Sequence, residues 1–339
     1  MVSSPLLAVL GGERRDPPPV WIMRQAGRYL PEYRRTRSDA GGFLNMVYNP
    51  EIAAEITLQP IRRFAMDGAI LFSDILIVAH ALGQDLRFVE GEGPRLSPTM
   101  TRGQVDELTP DFAHLNPIYA TVARVRAALG PETALIGFAG APWTVATYMV
   151  AGQGSRDEAR TLAYADPAAF GRLIDKIVDA TIEYLSGQIE AGAQAVKIFD
   201  SWSGALAADE FTRWSIEPTA AIVSALKARH AAIPVIGFPR GAGEKIMAYA
   251  AHTGVDALAI DEAIDPDWAH SVLPPGLPVQ GNLDNLALLA GGHALDAAVA
   301  RVRRALVGRP HIFNLGHGVL PQTPVAHMEQ LLAAVRRPL

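Results

Sequence analysis

A short apolar run, a polar cluster and then a long amphipathic stretch recur along this 339-residue chain, and that alternation limits its fold more than any other feature. The runs are Ala69–Phe72, Ala134–Phe138, Ala195–Phe199, Val235–Phe238, Ala257–Ile260, Val279–Gly281 and His311–Leu315. Trp21-Ile22-Met23 is a candidate eighth. Continuous apolar runs of this length, bounded by polar or glycine positions, read as buried parallel strands.

The segments between them read as helices. Asn49-Pro50-Glu51 is a cap, a first-turn proline and a helix-start acid, and Asp166-Pro167 opens a second helix in the same way. After it, Phe170, Leu173, Ile174, Ile177, Val178, Ile182, Leu185 and Ile189 recur at helical spacing, an apolar face expected to pack on a sheet. Pro117 to Leu129, Asp209 to Lys227, Gly243 to His252 and Pro324 to Val335 are similar.

Strands alternating with helices predict a parallel sheet, either open and doubly wound or closed. Polar clusters follow several of the runs: Ser73-Asp74, Asp200-Ser201, Pro239-Arg240, Asp261, Asn282 to Asp284, and Gly316-His317. Both architectures build sites at strand C-terminal ends, but one closed mouth can collect all these clusters. That convergence favours a closed (β/α)₈ barrel, over residues 20–339. A flexible lead-in, residues 1–19, precedes it and ends in Asp16-Pro17-Pro18-Pro19.

Composition narrows the function. A formal net charge of −5 argues against nucleic acid as a partner, because neutralising phosphates needs a basic footprint. The absence of cysteine removes disulfides, iron–sulfur clusters, thiolate zinc sites and cysteine nucleophiles. No metal site is expected, since His311 and His317 lack a third ligand at metal-binding spacing and no His-Glu-x-x-His occurs. The Leu6–Leu10 run has no basic residue before it and is too short for a secretory signal, and no window reaches a membrane span. A cytoplasmic protein is the expectation.

Five constellations could carry chemistry. Residues 20–37 hold five arginines against one acid, Glu32, a local inversion of the chain's charge. Planar guanidinium forks match carboxylates or phosphates, and Gly27 between Arg24 and Arg28 suggests an anion-binding loop rather than a solvated helix face. Asp74, in Phe72-Ser-Asp-Ile-Leu76, is either a desolvated acceptor or a helix cap. Gly137-Phe-Ala-Gly-Ala-Pro-Trp-Thr leads to Tyr148, a hydrogen-bonding group or a core residue. Ser201, in Phe199-Asp-Ser-Trp-Ser-Gly204, lies outside a nucleophile elbow. His317 sits between two glycines in Asn314-Leu-Gly-His-Gly318. The phosphate-loop look of Gly237 to Lys245 fails, because no Ser or Thr follows the lysine.

Pro19-Val-Trp-Ile-Met-Arg-Gln-Ala-Gly-Arg-Tyr-Leu-Pro-Glu-Tyr33 and Gly137-Phe-Ala-Gly-Ala-Pro-Trp-Thr-Val-Ala-Thr-Tyr-Met-Val-Ala-Gly152 resemble the two signatures of the uroporphyrinogen decarboxylase family. The Phe72–Leu76, Phe199–Ser201, Gln280–Asp284 and Asn314–Gly318 segments match further family stretches in order, so the resemblance runs from about Pro19 to the C-terminus. Ala151, where relatives often carry Glu, departs from the pattern away from the expected site.

The resemblance implies a single-domain, somewhat distorted (β/α)₈ TIM-like barrel, a homodimer, that decarboxylates the four acetates of uroporphyrinogen III to methyl groups, without metal or organic cofactor. It also implies catalytic roles for Asp74, Tyr148 and Arg24. Substrate contacts are implied from Arg24, Gln25, Ala26, Gly27, Arg28, Arg37, Asp74, Tyr148, Ser201 and His317. Two alternatives stand beside it. One is a related barrel methyltransferase, disfavoured because those activate thiols with thiolate-bound zinc. The other is a non-catalytic tetrapyrrole-binding protein.

Overall fold

The computed structural model describes residues 4–89, 92–101 and 103–338. Nine strands form, in chain order: β1 (Gly68–Ile70), β2 (Asp85–Val89), β3 (Gly93–Ser97), β4 (Ala134–Gly140), β5 (Ala195–Asp200), β6 (Val235–Pro239), β7 (Ala257–Ala259), β8 (Val279–Leu283) and β9 (His311–Leu315). Seven of them make one parallel sheet in the order β1-β4-β5-β6-β7-β8-β9, and each coincides with an apolar run of the sequence. The register is continuous, from Gly68 opposite Ala134 at one edge to Val279 opposite His311 at the other. β4 to β9 are buried on both faces, as strands in a helix-covered parallel sheet must be.

The sheet is curled so far that one residue touches both edges. Val20 bridges Phe313 of β9, while its carbonyl accepts Asp67 N–H and its own N–H donates to the Asp67 carboxylate, just before β1. The expected eighth strand, Trp21-Ile22-Met23, does not form. Ile22 N–H donates to Gln25 Oε1 and Met23 N–H to Asn314 Oδ1, so side chains take the donors a strand would offer its neighbour.

The helices form where their caps predict. Asn49 Oδ1 accepts from Glu51 and Ile52 N–H at the start of Pro50–Phe64, and Asp166 Oδ1 accepts from Ala169 N–H at the start of Pro167–Glu190. Phe170, Leu173, Ile174, Ile177, Ile182 and Leu185 of that second helix are buried.

Two features depart from the sequence reading. The lead-in, expected to be flexible, is packed where it is described. Pro5–Leu10 is a helix with Leu6, Val9 and Leu10 buried, and Leu6 lies against Gly68 at the start of β1. The strand starts of a curled sheet leave apolar side chains open, and this helix covers them. The antiparallel pair β2–β3 was not anticipated, because its exposed, charged strands carry no apolar run.

Inside the curl, Phe138, Phe199 and Phe238 stack edge-to-face, with Phe199 5.5 Å and 5.9 Å from its two neighbours. Lys197 Nζ sits 4.6–5.2 Å from the ring centres of Phe238, Phe199 and Trp21. Burial holds that amine well below the ordinary lysine range, and it has no ion-pair partner among the described residues.

Candidate active site

The polar clusters of the sequence converge at the C-terminal ends of the strands. Arg24 comes from the loop after Val20, Asp74 from beyond β1, and Tyr148 from the helix Pro142–Ala151 that follows β4. Ser201, Arg240, Glu262 and His317 follow β5, β6, β7 and β9.

Arg24 occupies a tight turn. Gln25 N–H donates back to the Ile22 carbonyl, and Arg24 takes φ 63°, a left-handed conformation uncommon for a non-glycine residue. The turn is held from both sides: Met23 N–H donates to Asn314 Oδ1, and Val319 N–H to the Met23 carbonyl. Gln25, expected at the substrate, points inward instead. Its Oε1 accepts Ile22 N–H, its Nε2 donates to the Gly68 carbonyl, and it is 1% exposed, so its side chain is used up in shaping the loop. Ala26 and Gly27 are half-buried in the next turn.

The glycines beside His317 have a steric cause. A Cβ on Gly316 would collide with the Glu262 backbone, and one on Gly318 with the Arg24 stem. Small residues here let β9's end and the Arg24 loop close on each other.

Electrostatics links the converging groups. Arg24 is enclosed by protein but open to the cleft. Burial lowers its pKa, Asp74 and Tyr148 oppose that, and Arg28 and Arg240 add to it. Asp74 accepts Leu76 N–H at 2.9 Å through Oδ1, while Oδ2 accepts no hydrogen bond among the described residues. The helix Ile77–Ala81 has no side-chain cap, so Asp74 is not a helix cap. Burial raises its pKa to about 6, against smaller lowering effects from Leu76 N–H and Arg24.

Burial likewise raises the Tyr148 hydroxyl, which stays neutral. Trp202 Nε1–H leans toward that hydroxyl without reaching hydrogen-bond geometry, and is left buried and unpaired. His317 is pushed down to about 4, first by burial and then by Arg24 and Arg240, and its Nδ1 is buried without a partner. It is therefore a neutral imidazole near pH 7. The Ser201 side chain is half-buried and makes no hydrogen bond among the described residues.

The one acid of the 20–37 stretch is engaged outside it: Glu32 pairs with Arg63 at 2.7 Å. Arg24, Arg28 and Arg37 have no ion-pair partner among the described residues. Arg28 is exposed, and Arg37 lies beside the Tyr33 hydroxyl.

Three contributors were not assigned from the sequence. Arg240 pairs with Glu262 at 3.1 Å on the wall facing Arg24 and His317. Trp202 stands beside Tyr148 and stacks under the Arg156 guanidinium at 4.7 Å. Asp200, fully buried at the end of β5, accepts the Thr144 hydroxyl on one oxygen and the Ser215 hydroxyl on the other, each at 2.6 Å. Thr144 in turn accepts Trp202 N–H, so Asp200 anchors the segment that carries Trp202. Arg240 and Asp200 were visible as polar residues after apolar runs, but Trp202 carried no such signal.

The arrangement offers a carboxylate with an oxygen that accepts no hydrogen bond among the described residues, beside the unpaired Arg24 and near neutral hydrogen-bonding groups. It suits a ligand with several carboxylates and a buried N–H or cationic centre. Among the described residues, no group of three or more His, Asp or Glu is placed to hold a metal ion. No helix among them is long and apolar enough to cross a membrane.

A family model described as uroporphyrinogen decarboxylase (URO-D) matches residues 1–338. A protein named uroporphyrinogen decarboxylase from Rhizorhabdus wittichii is 66% identical over 334 residues, covering 98% of this chain and 97% of its own. A second of that name, from Sphingopyxis alaskensis, is 62% identical and covers 99% of each chain. Among solved structures, a methyltransferase from Methanosarcina mazei aligns with a TM-score of 0.82 at 20% identity, over 97% of this chain and 96% of its own. That likeness concerns the fold alone.

Proposed function

The chain belongs to the uroporphyrinogen decarboxylase family, and from that premise we propose that it removes the four acetate carboxyls of uroporphyrinogen III as CO₂, giving coproporphyrinogen III in tetrapyrrole biosynthesis. The supporting observation is the free Asp74 oxygen facing unpaired Arg24 across the cleft.

The substrate brings eight carboxylates and a core of pyrrole N–H groups. Arg24, Arg28 and Arg37 receive carboxylates, and Asp74 accepts the pyrrole N–H groups. Protonation of a ring carbon makes the pyrrole cationic. The electron pair of the breaking C–CO₂ bond then flows into the ring and leaves an exocyclic methylene; protonation of that carbon makes the methyl group, and loss of the proton first added to the ring carbon restores the pyrrole. Positive charge grows next to Asp74, whose fixed carboxylate stabilises it without reorganisation. The ring itself is the electron sink, so the proposed chemistry draws on no metal or organic cofactor.

Tyr148, neutral because burial raises its hydroxyl, donates to the acetate or to Asp74. Neutral His317 donates one N–H to a substrate carboxylate, and Ser201 adds a hydroxyl. Arg24 remains a cation and is a poor general acid. The proton comes more readily from water or a substrate carboxyl held by Arg24.

In this reading Val20 acts as a one-residue eighth strand that closes a distorted (β/α)₈ barrel over residues 20–339, and the working form is a cytoplasmic homodimer. The methyltransferase reading gains nothing from the Methanosarcina protein, whose likeness is one of fold.

Anaerobic incubation with uroporphyrinogen III and EDTA should yield coproporphyrinogen, seen by fluorescence chromatography after oxidation. Substrate binding with no product would instead favour a non-catalytic tetrapyrrole carrier.

A further inference from the structure

The opposite end of the sheet carries a second concentration of cations that the decarboxylation does not use. A cavity of about 180 Å³ opens where β9 begins, lined by Arg14, Arg15, Asp16, Arg303, Arg309 and His311 together with apolar neighbours. Four arginines face one aspartate there, in a chain whose net charge is −5.

Two of these arginines are buried and only partly satisfied. Arg303 is 4% exposed; it donates to Asp16 Oδ1 at 2.5 Å and to the Ala334 and Arg337 carbonyls, but its Nε has no acceptor among the described residues. Arg309 is 3% exposed and donates through Nη2 to the Leu273 and Pro274 carbonyls at 2.9 Å and 2.6 Å. Its Nη1 has no acceptor, and it has no carboxylate partner among the described residues.

Arg15 pairs with Glu13 at 2.8 Å, and Arg14 is exposed with no ion-pair partner among the described residues. His311 is held neutral, its pKa lowered to about 4 by burial and by Arg303, and its Nε2 lies 2.8 Å from the Gly281 carbonyl.

Each buried guanidinium thus spends donors on carbonyls at the C-terminal end of a helix and leaves another N–H without an acceptor among the described residues. Buried donors on a cation are costly when unpaired, and a charged oxygen acceptor is the group that satisfies them best. We propose that this cavity is an oxyanion-binding site, for a phosphate group or a small dicarboxylate of matching charge. Ligand pockets for larger organic molecules run to roughly 300–1,000 Å³, so a tetrapyrrole does not fit here and the site is not a second copy of the mouth.

Its position gives the occupant a role. Residues 14–18 lead into Pro19, whose carbonyl accepts Phe313 N–H, and onward to Val20 and the Arg24 turn. Arg309 and His311 lead into β9, which carries Asn314, the residue that holds that turn, and then His317. An anion bridging Arg14 and Arg309 braces both segments from the end remote from the chemistry.

The test is calorimetric titration of the full chain with inorganic phosphate, and separately with succinate, at ionic strength held constant with chloride. One saturable site per chain for either probe supports the proposal, when a matching rise in unfolding temperature accompanies it. Arg14→Ala and Arg309→Met should each weaken it roughly tenfold, the order expected for losing a charge-assisted hydrogen bond. Arg14→Ala keeps the test decisive if Arg309→Met misfolds, because Arg14 is exposed and unpaired. No saturable binding would overturn the proposal. So would binding that survives Arg14→Ala but disappears in Arg28→Ala, since the anion would then sit in the mouth.

Discussion

The ends of β1 and β5 each present an aspartate whose pKa burial raises to about 6, and the two are built for opposite purposes. Asp200 is fully enclosed and both oxygens are occupied, one by Thr144 and one by Ser215. Asp74 spends one oxygen on Leu76 N–H and presents the other to the cleft. A titration shift alone does not separate a scaffold carboxylate from a working one. What separates them is unspent hydrogen-bonding capacity. The satisfied aspartate pins Thr144 and Trp202, and the unsatisfied one waits for donors that only a ligand can bring.

The sharpest way to break this contrast is Asp74→Asn. The fold should survive, by circular dichroism, while kcat falls on the order of 10²- to 10³-fold, the loss typical of removing one preorganised electrostatic group. Turnover within a few-fold of the parent would make Asp74 as structural as Asp200.

Thr144→Val makes Asp200 resemble Asp74 by stripping the partner from one oxygen. A buried acceptor left unpaired costs about 1–3 kcal/mol, so the urea midpoint should fall at pH 7.5 and less so at pH 5, where the acid is neutral. An unchanged midpoint would mean the Thr144 bond contributes nothing.

The pH–rate profile distinguishes the two acids in the native enzyme. Asp74 becomes protonated as pH falls through about 6, and a neutral acid cannot stabilise a growing cation. Turnover should therefore drop about tenfold per pH unit on the acid side. His317, at about 4, stays neutral across that range and does not shape the limb. Persistence of the limb in Asp200→Asn assigns it to Asp74, and its disappearance would assign it to Asp200.

The remaining test is the pH dependence of stability in Asp200→Asn. A folded-state pKa raised to about 6 contributes stability that is present below the unfolded value and lost as pH rises through 6. The parent should lose up to about 3 kcal/mol from this group between pH 4 and pH 7, from a shift of about two units at 1.36 kcal/mol each. The variant should show a correspondingly flatter slope in denaturant titrations across that range. An identical slope would remove Asp200 from the linkage.

Much of this was legible in the residue order. Each of the seven strands of the main sheet answers to an apolar run, because a parallel strand covered on both faces tolerates little polarity. The β2–β3 pair has no apolar run for the converse reason: its strands carry charged, solvent-facing positions. The Leu6–Leu10 run is too short for a secretion signal, and in the fold it plugs the strand starts. Gln25 sat inside the signature expected to meet substrate, but its amide is consumed by Ile22 and Gly68.

By itself, the sequence determined the parallel α/β plan, the arginine-rich loop and the residues gathered after each strand. Those are local matters of hydrophobic period, capping and charge. Only the tertiary structure decided which polar atoms remain unpaired. It separated Asp74 from Asp200, paired Glu32 with Arg63, and left two buried arginines short of acceptors at the far end of the sheet. The reason is that hydrogen-bond satisfaction depends on partners as distant in sequence as Asn314 is from Met23, and those distances close only when the chain folds.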